Sequence, residues 1–238
     1  MKTNLSEKKR QIKVGLLFLV LLQACLYLVY FSVFPILPDT YLSFVDAANK
    51  GILLIVTILL MTYTVRRWKW NLDDWGFTYN KIAWIVIFFA LAFYGYFWYV
   101  EGFPTNFGMD TIKQFLTGAW EELIFTVFFV EIVTRYFQTY HAMKTYKSKL
   151  LAVFITAIIF SLVHLPYGRW TLGEGLFNTV TFVGYRLLYA FTGTFFFGLI
   201  AHGVTSNSQY MGLPFAVAFC AAIMLLNRRV KKCPWQSI

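Results

Sequence analysis

The chain has 238 residues, of which 59% are hydrophobic and 13% charged. A soluble domain carries about a quarter charged residues, so the composition excludes an ordinary soluble protein and makes lipid the main solvent. The formal net charge of +10 does not indicate nucleic acid. The basic residues fall in short clusters between apolar runs: Lys8, Lys9, Arg10 and Lys13; Arg66, Arg67 and Lys69; Lys144, Lys147 and Lys149; and Arg228, Arg229, Lys231 and Lys232. That is the positive-inside pattern, and anionic lipid headgroups are the expected partner of these clusters.

A membrane-spanning helix needs roughly 20 apolar residues. The first predicted span runs from about Val14 to Phe34 and stops near Pro35 and Pro38. It contains Cys25, read as a buried residue. Leu22-Gln23-Ala24-Cys25 loosely resembles a lipoprotein cleavage box, but the apolar run continues through Phe31, as a spanning helix would. Cys25, Cys220 and Cys233 form neither a disulfide framework nor a metal-ligand spacing. The second span runs from Gly51 to Val65. Trp68, Trp70 and Trp75 follow it among charges, which reads as an interfacial segment. The third runs from Ile82 to Val100, before a polar loop with Glu101, Asp110 and Lys113. The fourth runs from near Phe115 to near Phe137. The fifth runs from Leu150 to His164 and is closed by Pro166, Gly168 and Arg169.

The stretch from Leu176 to Asn207 is too long for one span, and it contains Arg186. A helix continuous through Arg186 would strand a guanidinium in lipid. The expectation is therefore a sixth helix over Leu176 to Tyr185 and a seventh over Leu187 to Val204. Gly212 and Pro214 open the eighth, which ends at Arg228. Eight spans put the first and last basic clusters on the same, cytoplasmic side. The expected fold is all-α: a multi-pass cell-membrane protein with about eight helices in one bundle, residues 1–238 forming one domain.

Few ionisable residues remain inside these spans. Glu131 and Arg135 have the i,i+4 spacing of a helical ion pair, a structural role. Glu121 and Glu122 begin the fourth helix, His164 ends the fifth and His202 lies near the end of the seventh. The alternating topology places all four toward the outer side. Unrelated interhelical hydrogen bonds are the bland explanation. Two imidazoles and a carboxylate pair at one depth favour a functional site. Adjacent helical residues point about 100° apart, so one glutamate can face a cavity while neighbouring helices hold the other. A carboxylate in a low-dielectric cleft is a usable general base, and imidazoles can stabilise an oxyanion. The same groups are also ordinary zinc ligands. HExxH, Ser-His-Asp and Gly-x-Ser-x-Gly arrangements do not stand out.

Glu121-Glu122-Leu123-Ile124-Phe125-Thr126, then Phe160-Ser161-Leu162-Val163-His164, then His202 resemble the three motifs of the CAAX-protease and bacteriocin-processing family, also called Abi. Its patterns are EExxxR, FxxxH and HxxxN or HxxxD. The resemblance covers roughly Trp75 to Leu226 and includes Asp74-Trp75-Gly76-Phe77, which looks like the segment that often opens this domain. Residues 1–70 then supply two N-terminal helices. The resemblance implies an eight-helix intramembrane endopeptidase that cleaves peptides or prenylated tails. Bacterial members are linked to bacteriocin self-immunity and maturation of peptide signals. By the resemblance, Glu121 is the base that activates water, Glu122 is its paired carboxylate, and His164 and His202 position water and stabilise the oxyanion. Phe160 belongs to the second motif. The resemblance implies either a divalent metal such as zinc or a metal-free mechanism.

Two positions depart from the family pattern. Thr126 stands where the arginine is expected, leaving Glu122 without that countercharge unless another helix supplies a cation. Ser206 stands where Asn or Asp is expected, with Asn207 one position later. These departures motivate a second reading, a catalytically silent relative acting as a membrane scaffold or immunity partner. A transporter is a weaker third reading, since no inverted repeat is visible.

Overall fold

The computed structural model describes residues 5–36, 38–77, 84, 88, 116–167, 171–196 and 198–199. Among these residues the regular elements are helical, apart from one isolated antiparallel bridge between Phe77 and Thr194. Helix α1 (Leu5–Leu28) continues through a π-helical segment, Val29–Val33, and a 3-10 turn, Phe34–Ile36. Helix α2 (Asp39–Tyr63) ends in a second π-helical segment, Thr64–Trp68, and a 3-10 turn, Asp73–Trp75, follows. Residues 116–121 are helical and lead through a π-helical segment, Glu122–Phe128, into α3 (Phe129–His141). Helix α4 (Thr145–His164) runs into a 3-10 turn, Leu165–Tyr167, and α5 (Leu172–Thr192) follows.

Three helical stretches among the described residues are long and apolar enough to cross a membrane: Leu5–Ile36, Ala48–Trp68 and Thr145–His164. Leucines and isoleucines such as Leu17, Leu21, Ile55, Leu59 and Ile158 point outward from them. In water that apolar surface would drive aggregation, whereas in lipid it is solvated. The protein is a membrane protein. The expected third and eighth helices, the 101–113 loop, Arg169, Cys220, Cys233 and the last basic cluster lie outside the described residues.

The helices are longer than the apolar runs from which they are predicted. α1 starts nine residues earlier, because its basic first turns, including the Arg10–Glu7 ion pair, continue the same helix beyond the apolar stretch. α1 packs directly on α3. At Gly15 a Cβ would overlap the Ile132 side chain, so a larger residue there would require Ile132 to shift. Cys25 is exposed on the outward face of α1, not buried as expected.

Phe128 lies at the centre of the core, fully buried. The rings of Trp75, Trp70, Trp68 and Phe18 surround it at 5.6, 5.7, 6.1 and 5.9 Å. The tryptophans expected at the membrane interface are therefore core residues, and Trp75 is 0% exposed. Apolar rings with one polar N–H suit an interface, but they equally suit a core when that donor is satisfied. Trp75 meets the condition, its Nε1 donating to Thr64 Oγ1 at 2.9 Å.

The break expected at Arg186 does not occur there. Helix α5 runs unbroken through it, from a capping box at Thr171 and Glu174 to a C-cap at Gly193. The expectation assumed that Arg186 faces lipid. It faces protein instead: it is 1% exposed, and its guanidinium lies over the rings of Phe160 and Phe182 at 5.0 and 5.6 Å. The chain breaks seven residues later, where Gly193 takes φ 71°, a conformation that glycine adopts without strain. Gly76, also left-handed at φ 77°, faces this break, and Phe195 N donates to its carbonyl at 3.1 Å.

Candidate active site

Glu121 is the last residue before the π-helical segment and Glu122 the first within it. A π-helical turn is wider than an α-turn and is found mostly at functional positions. Here the Phe129 N–H closes the segment on the carbonyl of Ile124. The two glutamates diverge. Glu122 is 3% exposed and turned into the bundle. Glu121 is half-buried and lines a cavity of about 170 Å³.

Four helical stretches build that cavity. α1 and its π-helical extension supply Gln23 and Tyr30, and α2 supplies Asp46 and Lys50, which pair at 2.8 Å. Thr117, Trp120 and Glu121 come from the turns before α3, and His164 from the end of α4. The volume holds several water molecules. Apolar side chains, Leu26, Val29, Leu53 and Phe125 among them, alternate in the walls with the polar groups.

His164 is oriented by its own helix. Its Nδ1 lies 2.7 Å from the carbonyl of Phe160, one turn earlier. A carbonyl only accepts, so Nδ1 is the donor and carries the proton. Nε2 is left as acceptor in the neutral ring and as donor in the protonated one. The Phe160 ring is a shared wall, 4.3 Å from the His164 ring, 4.9 Å from the Phe125 ring and 5.0 Å from the Arg186 guanidinium. Thr126 is buried inside the π-helical segment. Thus Glu121 and His164 share one cavity, Phe160 backs the imidazole, and Glu122 is buried beside Gly198 instead of lining the cavity. His202, Ser206 and Asn207 lie outside the described residues. Among the described residues no three His, Cys, Asp or Glu gather as a metal site.

Arg186 is the neighbour that the sequence did not assign to this group. Its guanidinium lies over the Phe160 ring, which packs both on His164 and on Phe125 of the π-helical segment. The available signal was the missing arginine at position 126 together with an arginine alone in an apolar helix.

Glu131 and Arg135 do not form the pair expected from their spacing. Glu131 Oε1 lies 2.6 Å from Lys149 Nζ and accepts a hydrogen bond from Tyr189 OH at 3.1 Å. Arg135 reaches Asp74 at 3.8 Å and lies over the Trp70 ring at 4.5 Å. Spacing along one helix lost to partners on neighbouring elements, which offer a closer cation to Glu131 and an aromatic face to Arg135.

The fold and site define a helical membrane protein in which a carboxylate and an oriented imidazole line one cavity. Residues 105–207 match a family model described as Type II CAAX prenyl endopeptidase Rce1-like. The match agrees with the resemblance drawn from the motifs: over this segment the chain is similar to a family of CAAX prenyl endopeptidases. The segment contains both glutamates, Thr126, Phe160, His164, Arg186, His202, Ser206 and Asn207. No curated protein and no solved structure matches the chain.

Proposed function

We propose that this protein is an intramembrane endopeptidase that hydrolyses a hydrophobic or membrane-associated peptide with water activated by Glu121. The observation that carries this reading is the single cavity lined by Glu121 and His164, inside the segment that matches a protease family. Glu121 takes a proton from water in the cavity as the water oxygen attacks the peptide carbonyl. The tetrahedral intermediate collapses by breaking its C–N bond, while the protonated Glu121 returns that proton to the leaving amine. The imidazole of His164, oriented through Nδ1, presents Nε2 to the water or to the developing oxyanion. His202 is proposed as the second imidazole, assisted by Ser206 or Asn207. A divalent metal such as zinc in the cavity and a metal-free mechanism both suit this donor set, and metal analysis of the purified protein separates them.

In this reading the chain is a multi-pass cell-membrane protein with about eight helices and cytoplasmic termini. Its basic clusters lie against anionic headgroups, and its site lies toward the outer face. Peptide maturation or bacteriocin self-immunity is the corresponding biology. In detergent, the purified protein cleaves an internally quenched hydrophobic peptide, and Glu121→Gln abolishes cleavage while the protein stays folded. Cleavage unchanged in that variant rejects the mechanism.

Thr126 and Ser206 favour a second reading, a silent relative that binds a membrane protein as scaffold or immunity partner. Under it, Glu121→Gln and His202→Ala leave the cellular phenotype intact. A phenotype lost at normal protein level excludes it.

A further inference from the structure

Glu122 takes no part in lining the cavity, yet it is 3% exposed in a membrane bundle. Gly198 is packed so closely on its carboxylate that a Cβ there would overlap Oε2. A buried carboxylate is held as an anion only when a cation and hydrogen bonds compensate its lost hydration. The opposing helix carries a cation. Arg186 of α5 is equally buried at 1% exposure. The Phe160 ring beneath its guanidinium packs at 4.9 Å on Phe125 of the π-helical segment that Glu122 opens. The Glu122 carboxylate acts on the Arg186 charge across that distance rather than through a direct ion pair. Its Nη1 donates to the carbonyl of Phe182 at 3.3 Å, and its Nε has no partner among the described residues. The guanidinium faces the Phe160 ring, and that ring touches His164 at 4.3 Å.

We propose that Arg186 is a positioning residue of the site, neutralising the buried Glu122 carboxylate from α5 and bracing, through Phe160, the imidazole of His164. The cation that Thr126 cannot supply from within the π-helical segment is delivered across the bundle. Glu122 is thereby fixed outside the cavity, and Glu121 is presented to it. The catalytic part of the proposal rests on the hydrolytic reading above; the coupling of Glu122 to Arg186 does not.

Six proteins test it in detergent: wild type, Arg186→Lys, Arg186→Met, Glu122→Gln, Arg186→Met with Thr126→Arg, and Arg186→Met with Glu122→Gln. Each is read for Tm and for kcat and KM on an internally quenched hydrophobic peptide. Arg186→Met is expected to lose at least tenfold in kcat with KM nearly unchanged, and to lower Tm. Arg186→Lys recovers most of both. Thr126→Arg restores part of kcat by returning a cation within one turn of Glu122. Glu122→Gln added to Arg186→Met raises Tm again, because no unpaired buried charge remains. Wild-type kcat in Arg186→Met overturns the positioning role. So does a folded but inactive Arg186→Lys. Strictly additive Tm losses for Glu122→Gln and Arg186→Met overturn the coupling. If wild type itself cleaves nothing, the hydrolytic reading fails, and the Tm cycle still decides whether Arg186 and Glu122 are coupled.

Discussion

The two ends of α4 carry two buried charged groups built on opposite plans. Near its start, Lys149 joins Glu131, Tyr189, Arg135 and Asp74 in a network of direct contacts. Lys149 also lies over the Tyr189 ring at 4.9 Å. At its far end, about 22 Å away at the α-helical rise, His164 and Glu121 line one cavity. The first group fills its own volume: charges meet charges, and aromatic faces complete the shell. The second leaves room between its members. Buried charge that closes on itself fixes helix positions, whereas buried charge arranged around an open volume can act on a third molecule.

Substitutions at each end break or sharpen that contrast. Glu121→Gln removes the proposed base and should lower peptide cleavage by at least about 100-fold, the usual loss when general acid–base assistance is removed. The measurement is the initial rate in detergent, with Tm kept near wild type. Lys149→Met leaves the Glu131 carboxylate buried without its ammonium, which should cost about 3–5 kcal/mol. That loss is read as a lower Tm, while the folded fraction keeps its specific rate. Gly198→Ala places a methyl against the Glu122 carboxylate and should cost about 1–3 kcal/mol through overpacking. If Glu122 is fixed outside the cavity, it should also slow cleavage. Thr171→Ala removes the capping box of α5 and should cost about 1 kcal/mol without altering KM.

Much of the helical framework was legible because apolar runs and proline stops are local signals. Pro35 and Pro38 separate α1 from α2, and Pro166 follows the end of α4. The helices outrun those signals where charged turns such as 5–13 extend the backbone beyond the apolar stretch. Arg186 departs from its expected place because a guanidinium in an apolar run looks the same whether it faces lipid or the rings of Phe160 and Phe182. Only tertiary packing separates the two. Trp68, Trp70 and Trp75 were misread for a related reason, since rings with one donor suit both an interface and the surroundings of Phe128. The carboxylate pair and His164 were legible as chemistry from their types and order. Their common cavity was not, because α1 with its extension and α2, outside the matched family segment, supply most of its lining residues.

The central claim is that the polar group at the far end of α4 acts on a substrate and the one near its start only holds the fold. The most direct measurement compares Glu121→Gln and Lys149→Met beside wild type, recording Tm and cleavage of one internally quenched hydrophobic peptide in the same detergent. The expected result is a double dissociation: Glu121→Gln keeps Tm and loses cleavage, while Lys149→Met loses Tm and keeps the specific rate of its folded fraction. Wild-type cleavage by Glu121→Gln, or lost cleavage at unchanged Tm in Lys149→Met, would contradict it.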